Sequence, residues 1–136
     1  MTTMTVQLRN IADTEAAMGW AGVHTMVVDR PDGIAGGKGL GFNGGQLLAL
    51  AIGGCLCNDL RYVAHGMGIA LTQIEVDVTL TLEGDPLLAT AAAVTVRVDS
   101  VDGADVSAVI ERAGAVSTVS NSVARGFPVT LSPGVS

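Results

Sequence analysis

From Ile74 to Glu83 the chain alternates without a break: Ile74, Val76, Val78, Leu80 and Leu82 are apolar, and Glu75, Asp77, Thr79, Thr81 and Glu83 are polar. A period of two places the sets on opposite faces of a strand, so the segment reads as a half-buried β-strand. Gly84-Asp85-Pro86 is turn chemistry, and Ala92, Val94, Val96 and Val98, alternating with Thr95, Arg97 and Asp99, form the antiparallel return. Gln46 to about His65 follows a different period. Leu48, Ile52, Cys55, Leu56 and Val63 recur at helical spacing over a stripe wide enough to be buried on several sides. Gly66 and Gly68 lie where such a helix commonly stops.

Weaker signals flank these elements. Thr5 to Arg9 and Val23 to Asp29 read as short strands, and Pro31 to Gly45, with seven glycines, reads as a loop. After Asp102-Gly103, Val106, Val109, Ile110 and Ala113 share one helical face. Gly114 is expected to interrupt that helix, and Val116 to Ala124 to form another, capped by Ser117 or Ser120. Phe127 to Leu131 reads as a last short strand that tolerates Pro128 at an edge or at its start. The expected order is β-β-α-β-β-α-α-β, an α+β arrangement and not alternating βαβ units. No internal repeat is visible.

A chain of 136 residues is one domain's worth, long enough to bury a core without crosslinks. Hydrophobic residues make up 49% and aromatics only 3%, so that core must be aliphatic, and a charged fraction of 15% predicts that a second copy covers part of the apolar surface. The formal charge is −6, with Lys38 the one lysine beside six arginines. No basic stripe is left for phosphates, which disfavours nucleic acid and anionic lipid as partners. The longest strictly apolar run, Leu47 to Ile52, is far short of a span, so no membrane segment is expected. MTTMTVQLRN lacks the basic and apolar regions of a signal peptide, which predicts a cytoplasmic protein whose thiols stay reduced.

The chemistry centres on Cys55 and Cys57, the only two cysteines. On a helix they point roughly 200° apart and cannot pair while the helix stands. Cys55 has Asn58 and Asp59 one turn on, whereas Cys57 has Arg61 at i+4. Charge therefore favours a thiolate at Cys57 and disfavours one at Cys55. The bland alternative for each is a small buried hydrophobe. His24, in a strand, and His65, at a helix end, read as structural or solvated, and no His, Cys or Asp residues show zinc spacing, so no metal site is expected. GGKGLG lacks the spacing of a phosphate loop, and there is no G-x-S-x-G nucleophile turn.

NGGQLLALAIGGC, running from Asn43 to Cys55, followed by a glycine-terminated helix and the strand IEVDVTL, resembles the OsmC/Ohr family of small bacterial hydroperoxide-reducing proteins. The resemblance spans roughly Asp29 to the C-terminus. It implies a single OsmC-like domain over 1–136, with antiparallel sheets around a long central helix, in an interwoven homodimer whose active sites lie at the subunit interface. It places the peroxide-reactive cysteine at Cys55. The family's Pro-Glu, which orients an activating arginine, falls on Gly44-Gly45, leaving Gln46 as the neighbouring polar residue. Ser117, in STVSN, stands where the family carries a second, resolving cysteine, so no internal disulfide can form there. Arg9 and Arg30 are arginine candidates by elimination only.

The implied activity is reduction of organic or hydrogen peroxides through Cys55 by a one-cysteine mechanism, without cofactor. The sulfenic acid would be resolved by an external thiol or a partner chain's cysteine, or would overoxidise. Cys57, Arg61, Asp59, Ser117 and Gln46 are the supporting candidates. Two rival readings stand beside it: a non-catalytic dimer that binds a small hydrophobic ligand, and a different thiol reaction run by Cys57 with Arg61.

Overall fold

The computed structural model describes residues 1–134. Two compact units divide the chain, one over Met1–Leu48 and one from Ala49 onward.

In the first unit β1 (Gln7–Asn10), β2 (Ala17–Ala21) and β3 (His24–Val28) form an antiparallel sheet in the order β1-β2-β3. Gln7 stands opposite Trp20, which stands opposite Thr25. The central strand β2, AMGWA, is an addition to the expected set. Alanine, methionine and glycine carry little strand preference of their own, and pairing with a neighbour on each side supplies what the local sequence lacks. Gly22, at φ 61°, makes the tight turn into β3 that a residue with a Cβ would strain.

The glycine-rich loop that follows folds back on β3. Phe42 N–H donates to Val27 O at 3.0 Å and Asp29 N–H donates to Phe42 O at 3.1 Å. So close is the approach that a Cβ on Gly41 would stand 2.0 Å from Val27 O. Asp29 ties the loop together from inside. Its side chain, 1% exposed, accepts the main-chain N–H groups of Arg30, Lys38 and Leu40 at 2.8, 3.0 and 3.0 Å.

Helix α1 runs over Gly44–Gly66 and ends in a Schellman motif. Ile69 N–H reaches back to Ala64 O at 2.9 Å and Gly68 N–H to His65 O at 3.2 Å, with Gly68 at φ 69°. By length and composition alone α1 could cross a bilayer. Core helices of globular proteins share that property, and here Ile52, Leu56, Leu60 and Ala64 form a buried stripe.

In the second unit β4 (Leu71–Glu83) and β5 (Leu88–Ser100) form a long antiparallel hairpin, longer at both ends than the alternation predicts. Its apolar pairs are Ile74 with Val98, Val76 with Val96, Val78 with Val94 and Leu80 with Ala92. On the opposite face Arg97 bridges Glu75 at 2.7 Å and Asp77 at 3.3 Å. Helices α2 (Ser107–Val116) and α3 (Thr118–Arg125) follow. Leu56, Leu60 and Ala64 of α1 with Val109 and Ala113 of α2 make the buried core, flanked by Ile74, Val76, Val96 and Val98.

Two expectations fail in this unit. Gly114 lies inside α2, where a single glycine costs only about 1 kcal/mol and the buried Val109 and Ala113 hold the helix. The break comes instead at Ser117, which is extended at φ −62°, ψ 116°. The last strand, Phe127–Leu131, is absent: the segment is irregular, with Phe127 66% and Leu131 93% exposed. Its alternation finds no neighbouring strand to pair with among the described residues. The observed order is therefore β-β-β-α-β-β-α-α, an α+β fold with two antiparallel sheets.

Candidate functional site

The buried stripe of α1 decides where its thiols point. Leu56 sits at the centre of that stripe, and Cys55 and Cys57 lie about 100° to either side of it. Each is therefore half-buried, on opposite flanks of the helix, and both are free. A common environment for the two is excluded by the geometry.

Cys55 has a polar partner. Its Sγ donates to Asp59 Oδ2 across 3.5 Å, one turn along the same flank. Asp59 is half-buried, and no cation pairs with it among the described residues, where the ion pairs go to Asp29, Glu75 and Asp77. The thiol is thus held as a donor to an unneutralised carboxylate.

Cys57 lacks the partner its spacing predicts. Arg61 sends Nη1 to Leu71 O at 3.3 Å, across the helix C-terminus, and makes no bond to the thiol. Arg61 and His65 line a separate cleft of about 310 Å³ with Gly68, Ile69 and Leu71.

Gln46 has a structural partner. Asn43 N–H donates to Gln46 Oε1 at 3.0 Å, and Gln46 N–H donates to Asn43 Oδ1 at 2.9 Å. That reciprocal pair is a capping box, which satisfies two donors at the start of α1. Arg9 and Arg30 bond within the first unit. Arg9 Nη1 donates to Leu8 O, while Arg30 Nη2 donates to Glu15 O at 2.6 Å and pairs with Asp29 at 3.3 Å.

Ser117 is 0% exposed, and its hydroxyl has no hydrogen-bond partner among the described residues. It is the residue before α3, yet its side chain makes no cap bond. A buried hydroxyl without a partner is uncommon and costs stability.

Asp29 is the polar centre that the sequence reading missed. Main-chain donation from Leu40 holds its carboxyl below the ordinary value of 3.8; burial opposes this, and donation from Lys38 and Arg30 and the Arg30 charge add to it. The available signal was an aspartate between a strand and a glycine-rich loop, where exposed main-chain N–H groups need an acceptor. No group of three or more His, Cys, Asp or Glu side chains that could hold a metal comes together among the described residues.

An apolar cleft of about 460 Å³ lies between Ile52 of α1, Leu80 and Ala92 of the hairpin, and Ser120, Val123 and Ala124 of α3. Neither Cys55 nor Cys57 lines it.

The sequence profile of the family described as "OsmC-like protein" matches residues 36–132. A comparison with curated proteins found no match. Among solved structures the chain is similar to an OsmC-like protein from Mycoplasma pneumoniae, with a TM-score of 0.75 and 13% identity over 90% of this chain and 88% of that one. It is similar to an OsmC-like protein of unknown function from Vibrio cholerae, with a TM-score of 0.74 and 9% identity over 90% of this chain and 94% of that one. The organic hydroperoxide resistance protein OhrB of Bacillus subtilis gives a TM-score of 0.60 and 22% identity over 90% of each chain. At these identities the structural likeness speaks for the fold.

Proposed function

Because the chain belongs to the OsmC-like protein family, we propose that it reduces organic or hydrogen peroxides through Cys55, with a single cysteine and an external thiol as reductant. Family and neighbours support a redox or peroxide-related role. The finer claim is supported by one observation: Cys55 is free, half-buried and hydrogen-bonded on the long helix.

Sulfur of Cys55 attacks the distal peroxide oxygen and becomes a sulfenic acid, and the alcohol leaves. A small thiol then condenses with the sulfenic acid to a mixed disulfide and water, and a second thiol releases Cys55. A cytoplasmic thiol pool fits that demand. The working unit in this reading is a homodimer. Leu82, Leu87 and Leu88, 41%, 63% and 62% exposed at the far end of the hairpin, are the apolar surface that favours a second copy.

Intact-mass analysis after cumene hydroperoxide treatment tests the reading. Addition of one oxygen in wild type and in Cys57→Ser, but not in Cys55→Ser, supports it. An unmodified Cys55 under mild excess overturns it, and oxidation lost only in Cys57→Ser transfers the chemistry to Cys57.

The cleft of about 460 Å³ favours a second reading, a non-catalytic dimer that holds a small hydrophobic ligand. Saturable binding of an apolar fluorophore, lost in Ala92→Phe, with Cys55 inert to peroxide, would select it.

A further inference from the structure

The acceptor beside Cys55 is the wrong group for storing a thiolate. A negative sulfur placed against the Asp59 carboxylate is repelled, and no cation pairs with that carboxylate among the described residues. It is the right group for a proton. A carboxylate is an acceptor with free lone pairs, and Sγ already donates to Oδ2 across 3.5 Å. Both residues are half-buried, so the pair is partly shielded from bulk water without being sealed in the core.

We propose that Asp59 is the proton relay of Cys55, taking the Sγ proton as sulfur attacks the distal oxygen of an alkyl hydroperoxide and returning it to the departing alkoxide. This rests on the peroxide-reducing reading above. The S–O bond forms as the O–O bond breaks, and the two electrons lost by sulfur go to the peroxide. Cys-SH and ROOH become Cys-SOH and ROH, and the Asp59 carboxylate ends as it began. A thiol is in general a weaker acid than a carboxylic acid, so the transfer is coupled to S–O bond formation and eases as sulfur gives its electron pair to oxygen. The return to an alkoxide is downhill, because a carboxylic acid is far stronger than an alcohol.

The relay sets a substrate preference. A leaving alkoxide needs the returned proton, whereas the carboxylate that leaves a peracid does not. Asp59 therefore matters for alkyl hydroperoxides in proportion to the basicity of the leaving oxygen.

The test measures Cys55 sulfenic acid formation in the full chain, in a Cys57→Ser background, with cumene hydroperoxide and with peracetic acid. Asp59→Asn keeps the size of the side chain and removes the proton acceptor. With cumene hydroperoxide it is expected to slow the reaction about a hundredfold, the scale of general acid–base assistance. With peracetic acid, whose leaving carboxylate needs no returned proton, only the proton-accepting half of the relay is lost, and the slowing is expected to be clearly smaller. Asp59→Glu, which keeps a carboxylate, is expected to recover part of the alkyl hydroperoxide rate.

An Asp59→Asn variant as fast as its parent with cumene hydroperoxide overturns the relay and leaves Asp59 a repulsive neighbour. Equal losses with both oxidants overturn it in favour of a structural role. If the parent's Cys55 is oxidised by neither reagent, the peroxide-reducing reading itself falls.

Discussion

Asn43 and Gln46 exchange hydrogen bonds at the start of α1, each accepting the other's main-chain N–H through its side-chain oxygen. The helix therefore begins at Gly44-Gly45 without proline or an acidic residue in its first turn. Asn43→Ala is expected to lower stability by about 1 kcal/mol, as loss of a helix cap does. Gln46→Ala is expected to lose less, since only the Asn43 N–H is released. Urea unfolding measures both. Neither variant should change the rate of Cys55 oxidation, and a large fall in that rate with Gln46→Ala would restore a catalytic part to this residue.

Ser117 carries a penalty that a single atom can remove. Its hydroxyl is buried without a partner among the described residues where α2 gives way to α3, and an unmet buried polar group costs about 1–3 kcal/mol. Ser117→Ala deletes the hydroxyl and little else. The variant is expected to be more stable than wild type by about 1 kcal/mol, near the low end of that range because the small void left behind takes some back. A higher urea midpoint with unchanged slope would show it. A destabilised variant would mean that the hydroxyl has a partner in solution, such as an ordered water.

Acid should act on the first unit through Asp29. Its carboxyl titrates below 3.8 in the folded chain, so its contribution is fully present above that value and is lost as pH falls through the lowered one. Asp29→Asn removes the titration and weakens the loop's acceptors. The gap in melting temperature between wild type and Asp29→Asn should be widest near neutral pH and should narrow as pH drops below 3.8. Fluorescence of Trp20, the sole tryptophan, reports from β2 in the same unit. Glu75 and Asp105 also titrate low, Glu75 through its bond to Arg97 and Asp105 through the hydroxyl and N–H of Ser107. They are present in both proteins and cancel in the difference.

The alternation at 74–83 and 92–99 was legible because each residue declares its face, and α1 because its apolar stripe and glycine stop agree. Strand β2 was hidden because AMGWA has no period of its own and depends on pairing with the strands just before and after it. The opposite error produced a strand at 127–131, where alternation exists without a neighbour to pair with. At the site, spacing placed Asp59 beside Cys55 and Arg61 beside Cys57, yet only the first pair met. Arg61 had a competing acceptor in Leu71 O, which only the tertiary fold brings within reach. The Asn43-x-x-Gln46 box is a cap signal that the local sequence carries in full, since both partners lie within one turn. Burial of Ser117 was not readable at all, since serine between two short helices is ordinarily exposed.

Gly53 and Gly54 adjoin on α1 but differ in what surrounds them. A Cβ on Gly53 would stand 3.0 Å from Val78 Cγ2 and 3.6 Å from Val76 Cγ1, whereas one on Gly54 meets nothing within 4 Å. Alanine in a helix interior gains about 1 kcal/mol over glycine, so Gly54→Ala should be more stable than wild type by roughly that amount. At Gly53 the same gain is opposed by a contact with a β-branched side chain that has little room to turn, and overpacking costs about 1–3 kcal/mol. Gly53→Ala should therefore sit at or below wild type. Paired urea titrations decide it, with the sign of the difference between the two variants as the readout. Equal gains at both positions would mean that β4 yields to α1 more readily than its long pairing with β5 implies. A loss at Gly54 accompanied by a fall in molecular mass by light scattering would place a second copy of the chain against that turn of the helix.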